Sequence, residues 1–181
     1  MKKFFSFLWE IFKIVIIALL IVIPIRYFIF QPFLVRGASM TPAFENGDYL
    51  IIDEISYRFG EPQRGEVVVF RYPNDPSQRY IKRIVGLPGE TIEIENDQVI
   101  IYKGETTQIL DESKYLSANT KTTGNIKTNL EENQYFVLGD NRIASSDSRR
   151  WGPLPSEDII GRVIFRAWPP TAVAKFEVPT Y

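Results

Sequence analysis

Between Phe4 and Phe30 only Glu10, Lys13 and Arg26 carry charge, and Ile14 to Ile25 is an uninterrupted apolar run of twelve residues. Because its apolar residues leave no polar stripe at helical spacing, the segment does not read as an amphipathic helix on a soluble core. A membrane span needs about 20 mainly apolar residues, a length the run reaches if Lys13 and Arg26 snorkel to the interface at its ends. Phe4, Phe5, Phe7, Trp9 and Phe12 cluster at one end and Tyr27, Phe28 and Phe30 at the other, as interfacial aromatics do. Pro24 is an expected kink. The sequence therefore predicts a short N-terminus with the start of the helix at 1–13, an anchor at 14–30, and a domain at 31–181. A cleaved signal peptide also begins with lysines before an apolar core, but no small-x-small site follows closely behind this one, which favours the anchor. The flanking charges orient the span weakly, with Lys2, Lys3 and Lys13 before it and Arg26 and Arg36 after it. No second apolar segment is long enough to span, so one crossing is expected.

The rest of the chain is bounded by what it lacks. Among 181 residues there is no histidine and no cysteine. That removes the Ser-His-Asp triad, thiol nucleophiles, disulfides, and His- or Cys-ligated zinc in one step. A hydrolase built from this chain must work with carboxylates or lysine. No carboxylate cluster has calcium-loop spacing, so no metal or organic cofactor is expected. Twenty-one Lys+Arg nearly balance 22 Asp+Glu, and no basic cluster interleaved with aromatics points to nucleic acid.

Beyond Arg36 the pattern changes to short runs rich in Val, Ile, Tyr and Phe: 49–52, 66–72, 80–85, 91–95, 99–102, 134–138 and 159–165. Turn residues bound nearly all of them, which predicts a mainly β domain. Thr91–Glu95 alternates polar and apolar, Asn96-Asp97 supplies a turn, and Val99–Tyr102 returns, so a hairpin is expected there. Residues 103–132 are polar with few large apolar side chains, and read as a peripheral lobe or loop.

Three short segments carry the candidate chemistry. In Gly37-Ala38-Ser39-Met40-Thr41-Pro42, the serine is either a nucleophile or an ordinary turn residue, and taken alone the turn is the better reading. In Tyr80-Ile81-Lys82-Arg83-Ile84-Val85, alternation places Lys82 on one face with Ile84. A lysine there is either an edge charge that blocks aggregation or a desolvated amine, and pattern alone favours the edge charge. The segment from Gly139 to Arg149, GDNRIASSDSR, follows an apolar strand and is either a solvated turn or a buried hydrogen-bonded platform.

Together these segments resemble the signature boxes of the type I signal peptidases. The resemblance rests on Ser39-Met40-x-Pro42, on Lys82-Arg83-x-x-Gly86-x-Pro88-Gly89, and on Gly139-Asp140-Asn141-Arg142 with Ser145-x-Asp147-Ser148-Arg149. It extends from the N-terminal segment to Trp168-Pro169. It implies a single transmembrane helix followed by a largely antiparallel β catalytic domain with a small inserted β region, held on the extracytoplasmic side of the cell membrane. Secreted precursors would be the substrates and membrane lipid the surroundings. Without histidine, Lys82 is the best candidate base for Ser39, provided burial lowers its pKa from about 10.4. The backbone N–H of Ser39 is the expected oxyanion donor. The resemblance further implies that Ser145 orients Lys82 and that Asp147 and Arg149 form a supporting ion pair. It also implies cleft walls of Phe33, Val35, Met40, Phe44, Val69, Tyr80 and Ile81, which would leave shallow pockets for alanine-sized side chains. Core packing explains any one of those seven equally well. The strand 67–70 is a candidate edge for pairing with an extended substrate. Two positions depart from the pattern. Gly37 stands where some members place a serine donor, and Ile143-Ala144 stands where many carry polar residues. Self-cleaving repressors share a Ser-Lys dyad but need a DNA-binding domain where this chain has its apolar segment. A non-catalytic anchored β module would not require Ser39, Lys82 and Ser145 to occur together.

Overall fold

A computed structural model describes residues 2–28, 30–117 and 120–179, with the side chains of residues 2, 3, 21, 23–28, 30 and 31 outside the description. The chain opens with a helix, α1 (Lys2–Phe28). Phe5, Ile14 and Leu20 expose about two-thirds of their surface, and among the described residues no α1 side chain joins a buried cluster. Among the described residues no helix is long and apolar enough to cross a membrane. The belt expected at Tyr27, Phe28 and Phe30, the snorkelling Arg26 and the kink at Pro24 fall outside the described side chains.

The remainder is β. Strands β1 (Phe30–Leu34), β2 (Tyr49–Asp53), β3 (Val67–Tyr72), β4 (Asp75–Gly86), β5 (Thr91–Glu95), β6 (Gln98–Lys103), β7 (Thr106–Ile109), β8 (Ile126–Asn129) and β9 (Gln134–Leu138) precede the single turn of α2 (Ser148–Trp151). Strands β10 (Leu154–Pro155), β11 (Ile159–Trp168) and β12 (Ala174–Lys175) follow it. All seven expected strands are present, most of them longer than their apolar runs. Among the described residues every strand pairing is antiparallel, in two sheets. The larger has the order β1-β2-β11-β3-β4-β9-β10 with β12 on β11, and the smaller is β7-β6-β5-β8.

The β5–β6 hairpin turns at Asn96 and Asp97, with φ of 51° and 63°, the left-handed pair that a tight two-residue turn requires. The polar segment 103–132 supplies β7 and β8. It also buries Leu110, Leu116 and Leu130, and two of these, Leu110 and Leu130, pack with Ile92, Ile94, Val99 and Ile101 against Val85, Phe136 and Leu138 of the larger sheet. A second cluster, containing Met40, Phe44, Leu50, Ile52, Val69 and Ile81, lies under the β1–β2 loop. A third joins Val68, Phe70, Ile84, Val137 and Leu154. Strands β3 and β4 feed clusters on both of their faces, so any charge on them must be partnered internally or lose its proton.

Candidate active site

Ser39 sits in the loop between β1 and β2. That loop is fixed from beneath by Met40 and Phe44, each at most 1% exposed. It is also closed by backbone bonds, Phe44 N–H to Met40 O at 2.8 Å and Val35 N–H to Asp48 O at 2.9 Å. With both apolar neighbours turned into the core, Ser39 is left half-buried at the surface. Lys82 lies in β4 opposite Val68 and is only 4% exposed. It is therefore a buried amine and not an edge charge. Its Nζ is 2.8 Å from Ser39 Oγ and donates to Ile81 O at 2.8 Å. The Tyr80 ring centroid stands 5.4 Å from Nζ. Burial pushes the Lys82 pKa down to about 8, against the opposing pull of Asp147 and Asp140. At pH 7 roughly one amine in ten is then neutral, against one in a few thousand for a free lysine.

The third segment forms a buried platform. Asp147 caps α2 and holds Arg149 with two bonds of 2.8 Å, while Gly139 N–H donates to its other side at 3.0 Å. Burial disfavours the charged Asp147 carboxylate, but these donors outweigh it and leave the pKa below the usual carboxylate value. Arg149 also donates to Arg142 O at 2.7 Å. Ser145 is 3% exposed, and its Oγ makes no bond to Lys82. The hydroxyl has no partner at hydrogen-bond geometry, although it is near enough to Asp147 to favour the charged carboxylate.

Several contributors were not foreseen. Asn141 donates its N–H to Ser39 O at 3.0 Å and its side-chain amide to Thr41 Oγ1 at 3.0 Å, which ties the platform to the Ser39 loop. Arg83, the residue after Lys82, forms a fully buried pair with Asp140 at 2.9 and 2.6 Å. Arg142 is held by Glu112 and Thr122 from the 103–132 segment. Two consecutive cations in the otherwise apolar run Tyr80–Val85 were the available signal. Their side chains point to opposite faces, and a strand buried on both faces cannot leave either of them unpartnered.

A cleft of about 660 Å³ opens over the pair, lined by Pro32, Phe33, Leu34 and Arg36 on one side and by Ser77 to Lys82 on the other, with Ser39 and Ser146. Of the expected wall residues, Phe33, Tyr80 and Ile81 line it. Val35, Met40, Phe44 and Val69 instead pack in the core beneath, because the loop's anchors and the inward side of β3 are needed to close that cluster. The 67–70 strand is not a free edge, since β3 is paired by β4 and β11. Among the described residues, the free edges at the cleft are those of β1 and of β4 before Arg83, where β9 begins to pair.

Residues 8–168 match the family model described as signal peptidase, peptidase S26. The chain belongs to this family. A probable signal peptidase I-1 of Synechocystis is 35% identical, over 91% of this chain and 84% of its own length. A signal peptidase I V of Bacillus subtilis is 34% identical, over 89% of this chain and 96% of its own. A crystal structure of a signal peptidase I from Enterococcus faecalis aligns with a TM-score of 0.47 and 32% identity, covering 57% of this chain and 97% of that one. Membership in the signal peptidase family makes the chain a serine endopeptidase.

Proposed function

We propose that this signal peptidase family member is a membrane-bound endopeptidase that removes N-terminal signal peptides from secreted precursors after small-x-small sites, using Ser39 as nucleophile and Lys82 as general base. The observation that carries the reading is the 2.8 Å approach of a buried amine to a serine hydroxyl at the floor of a cleft. The neutral amine takes the Ser39 proton as Oγ attacks the scissile carbonyl, and the ammonium then protonates the leaving amine. A water activated by the same amine hydrolyses the acyl-enzyme. The Ser39 N–H stabilises the oxyanion, and Gly37 supplies no side-chain donor. Ser145 orients Nζ when its buried hydroxyl, which makes no bond to Lys82 in the resting geometry, turns toward the amine, and Asp147 and Arg149 hold the platform that carries it. An extended substrate lies between the free edges of β1 and β4, bonded through its main chain. Phe33, Tyr80 and Ile81 limit its side chains to small ones, with Val35, Met40, Phe44 and Val69 closing the pocket floor. Residues 14–30 anchor the chain in the cell membrane with the domain 31–181 outside the cytoplasm. The exposed apolar surface of α1 supports this placement.

The test is cleavage of a precursor bearing an Ala-x-Ala site by detergent-solubilised protein, comparing the wild type with Ser39→Ala and Lys82→Ala. Loss of turnover in both variants with folding retained is expected. Near-normal turnover by Lys82→Ala would overturn the assignment of the base, and an inert, well-folded wild type would favour a non-catalytic module.

A further inference from the structure

The sequence contains one Ala-x-Ala triplet, Ala172-Val173-Ala174, followed by Lys175. Resting on the cleavage specificity proposed above, we infer that the Ala174–Lys175 bond is itself a substrate, cut by a second copy of this chain. Val173 is 49% exposed, and Ala174 and Lys175 are exposed as well. The first alanine of the triplet closes a single 3-10 turn, Pro170–Ala172, and the scissile bond lies within the two-residue strand β12. That strand is held to β11 by the pairs Phe165–Lys175 and Arg166–Ala174, and among the described residues its other edge is unpaired. From Val173 onward the segment is thus already extended and offers a free main-chain edge, with alanines one and three residues before the bond and the earlier one at the end of the turn. A two-residue strand paired on one edge only opens locally at little cost.

The chemistry is the one proposed for precursors. Ser39 Oγ of one copy attacks the Ala174 carbonyl of another, Lys82 accepts the proton, and the C–N bond breaks. The Lys175 nitrogen leaves as an amine with that proton, and water then frees the Ala174 carboxylate and regenerates Ser39. The cut has a structural consequence. Phe176 packs on Phe44 at 5.2 Å between ring centroids, and its ring lies 5.4 Å from the Arg83 guanidinium carbon. Its N–H bonds Ile164 O at 3.0 Å. Phe44 anchors the nucleophile loop and Arg83 follows Lys82, so severing the chain before Phe176 loosens the packing behind both catalytic residues. Cleavage is self-limiting.

The experiment follows full-length protein in detergent micelles by intact mass and by sequencing of released peptides, with a precursor assayed in parallel. A fragment beginning at Lys175 is expected, forming about ten- to a hundredfold more slowly than precursor is cut because β12 must first open. Ser39→Ala should stay intact alone and be cut when wild type is added, and Ala174→Phe should abolish the cut while still processing precursor. Precursor cleavage without this fragment overturns the inference and leaves the proposed function standing, as does release of the fragment from Ser39→Ala alone. Failure on both substrates overturns both.

Discussion

Gly139→Ala tests whether the platform and the nucleophile loop form one rigid unit. Gly139 has no positive φ, so its backbone accepts alanine and only space opposes it. An added Cβ would lie 2.2 Å from Ser145 Oγ, 2.6 Å from Ser145 Cβ and 2.5 Å from Ser39 O. Rotation about the Ser145 side chain relieves the first contact but neither of the others. An ordinary carbon-to-oxygen contact is about 3.3 Å, so the Ser39 carbonyl must retreat by about 0.8 Å. That carbonyl also accepts the Asn141 N–H at 3.0 Å, so the movement strains the link to the platform as well. Misplacement of a reacting group by about 1 Å costs on the order of a hundredfold in rate, close to 3 kcal/mol of transition-state stabilisation. Overpacking adds about 1–3 kcal/mol of lost stability. The expected outcome is kcat/KM on a precursor peptide lowered about a hundredfold, with native circular dichroism and a lowered urea midpoint. Adding Ser145→Ala removes the hydroxyl contact alone and should not restore the rate. Activity of Gly139→Ala within about threefold of wild type would refute the close approach on which this reasoning depends.

Three further outcomes follow from the buried charges. Since burial holds Lys82 near a pKa of about 8, kcat/KM should rise about tenfold per pH unit below pH 8 and level off above it. A pH-independent rate would remove the amine from the mechanism. The depressed pKa means that between pH 8 and 10.5 the unfolded chain keeps a proton that the folded chain has lost, so stability increases with pH through that window. At pH 7 the buried ammonium costs on the order of 3 kcal/mol. Lys82→Met should therefore melt higher than wild type at pH 7, by a margin that shrinks near pH 10.5, and thermal melts at the two pH values decide the point. Asp140→Asn removes the carboxylate that holds the buried Arg83 guanidinium at 2.9 and 2.6 Å, and should cost about 3–5 kcal/mol in urea unfolding. A loss below about 1 kcal/mol would show that the pair contributes no more than a surface ion pair does.

Strands were legible where apolar runs met turn residues, and the hairpin at Asn96-Asp97 was legible to the residue because two left-handed positions suit few side chains. Strands β7 and β8 were not. Thr106–Ile109 is exposed throughout, and Ile126–Asn129 alternates between half-buried and exposed, so neither carries an apolar run. Their pairing is decided by β5 and β6, which precede them and are already buried. Ser39 and Lys82 were ambiguous one at a time, because a serine in a turn and a lysine in a strand each have commoner explanations, and only their co-occurrence with the third segment pointed to chemistry.

By itself the sequence determined the reaction class, the β character and the apolar N-terminal segment, because these depend on which residue types are present and how they are spaced. Having no histidine or cysteine leaves carboxylates or lysine as the candidate bases for a serine, whatever the fold. Tertiary structure decided what depends on distance across the chain. It set the burial that lowers the Lys82 pKa, the partners of Arg83 and Arg142, and which apolar residues face the cleft while others face the core. It also made β3 an interior strand, leaving β1 and β4 as the edges at the cleft. A side chain's solvation and a strand's free hydrogen bonds depend on neighbours tens of residues away in sequence, and local pattern carries no record of them.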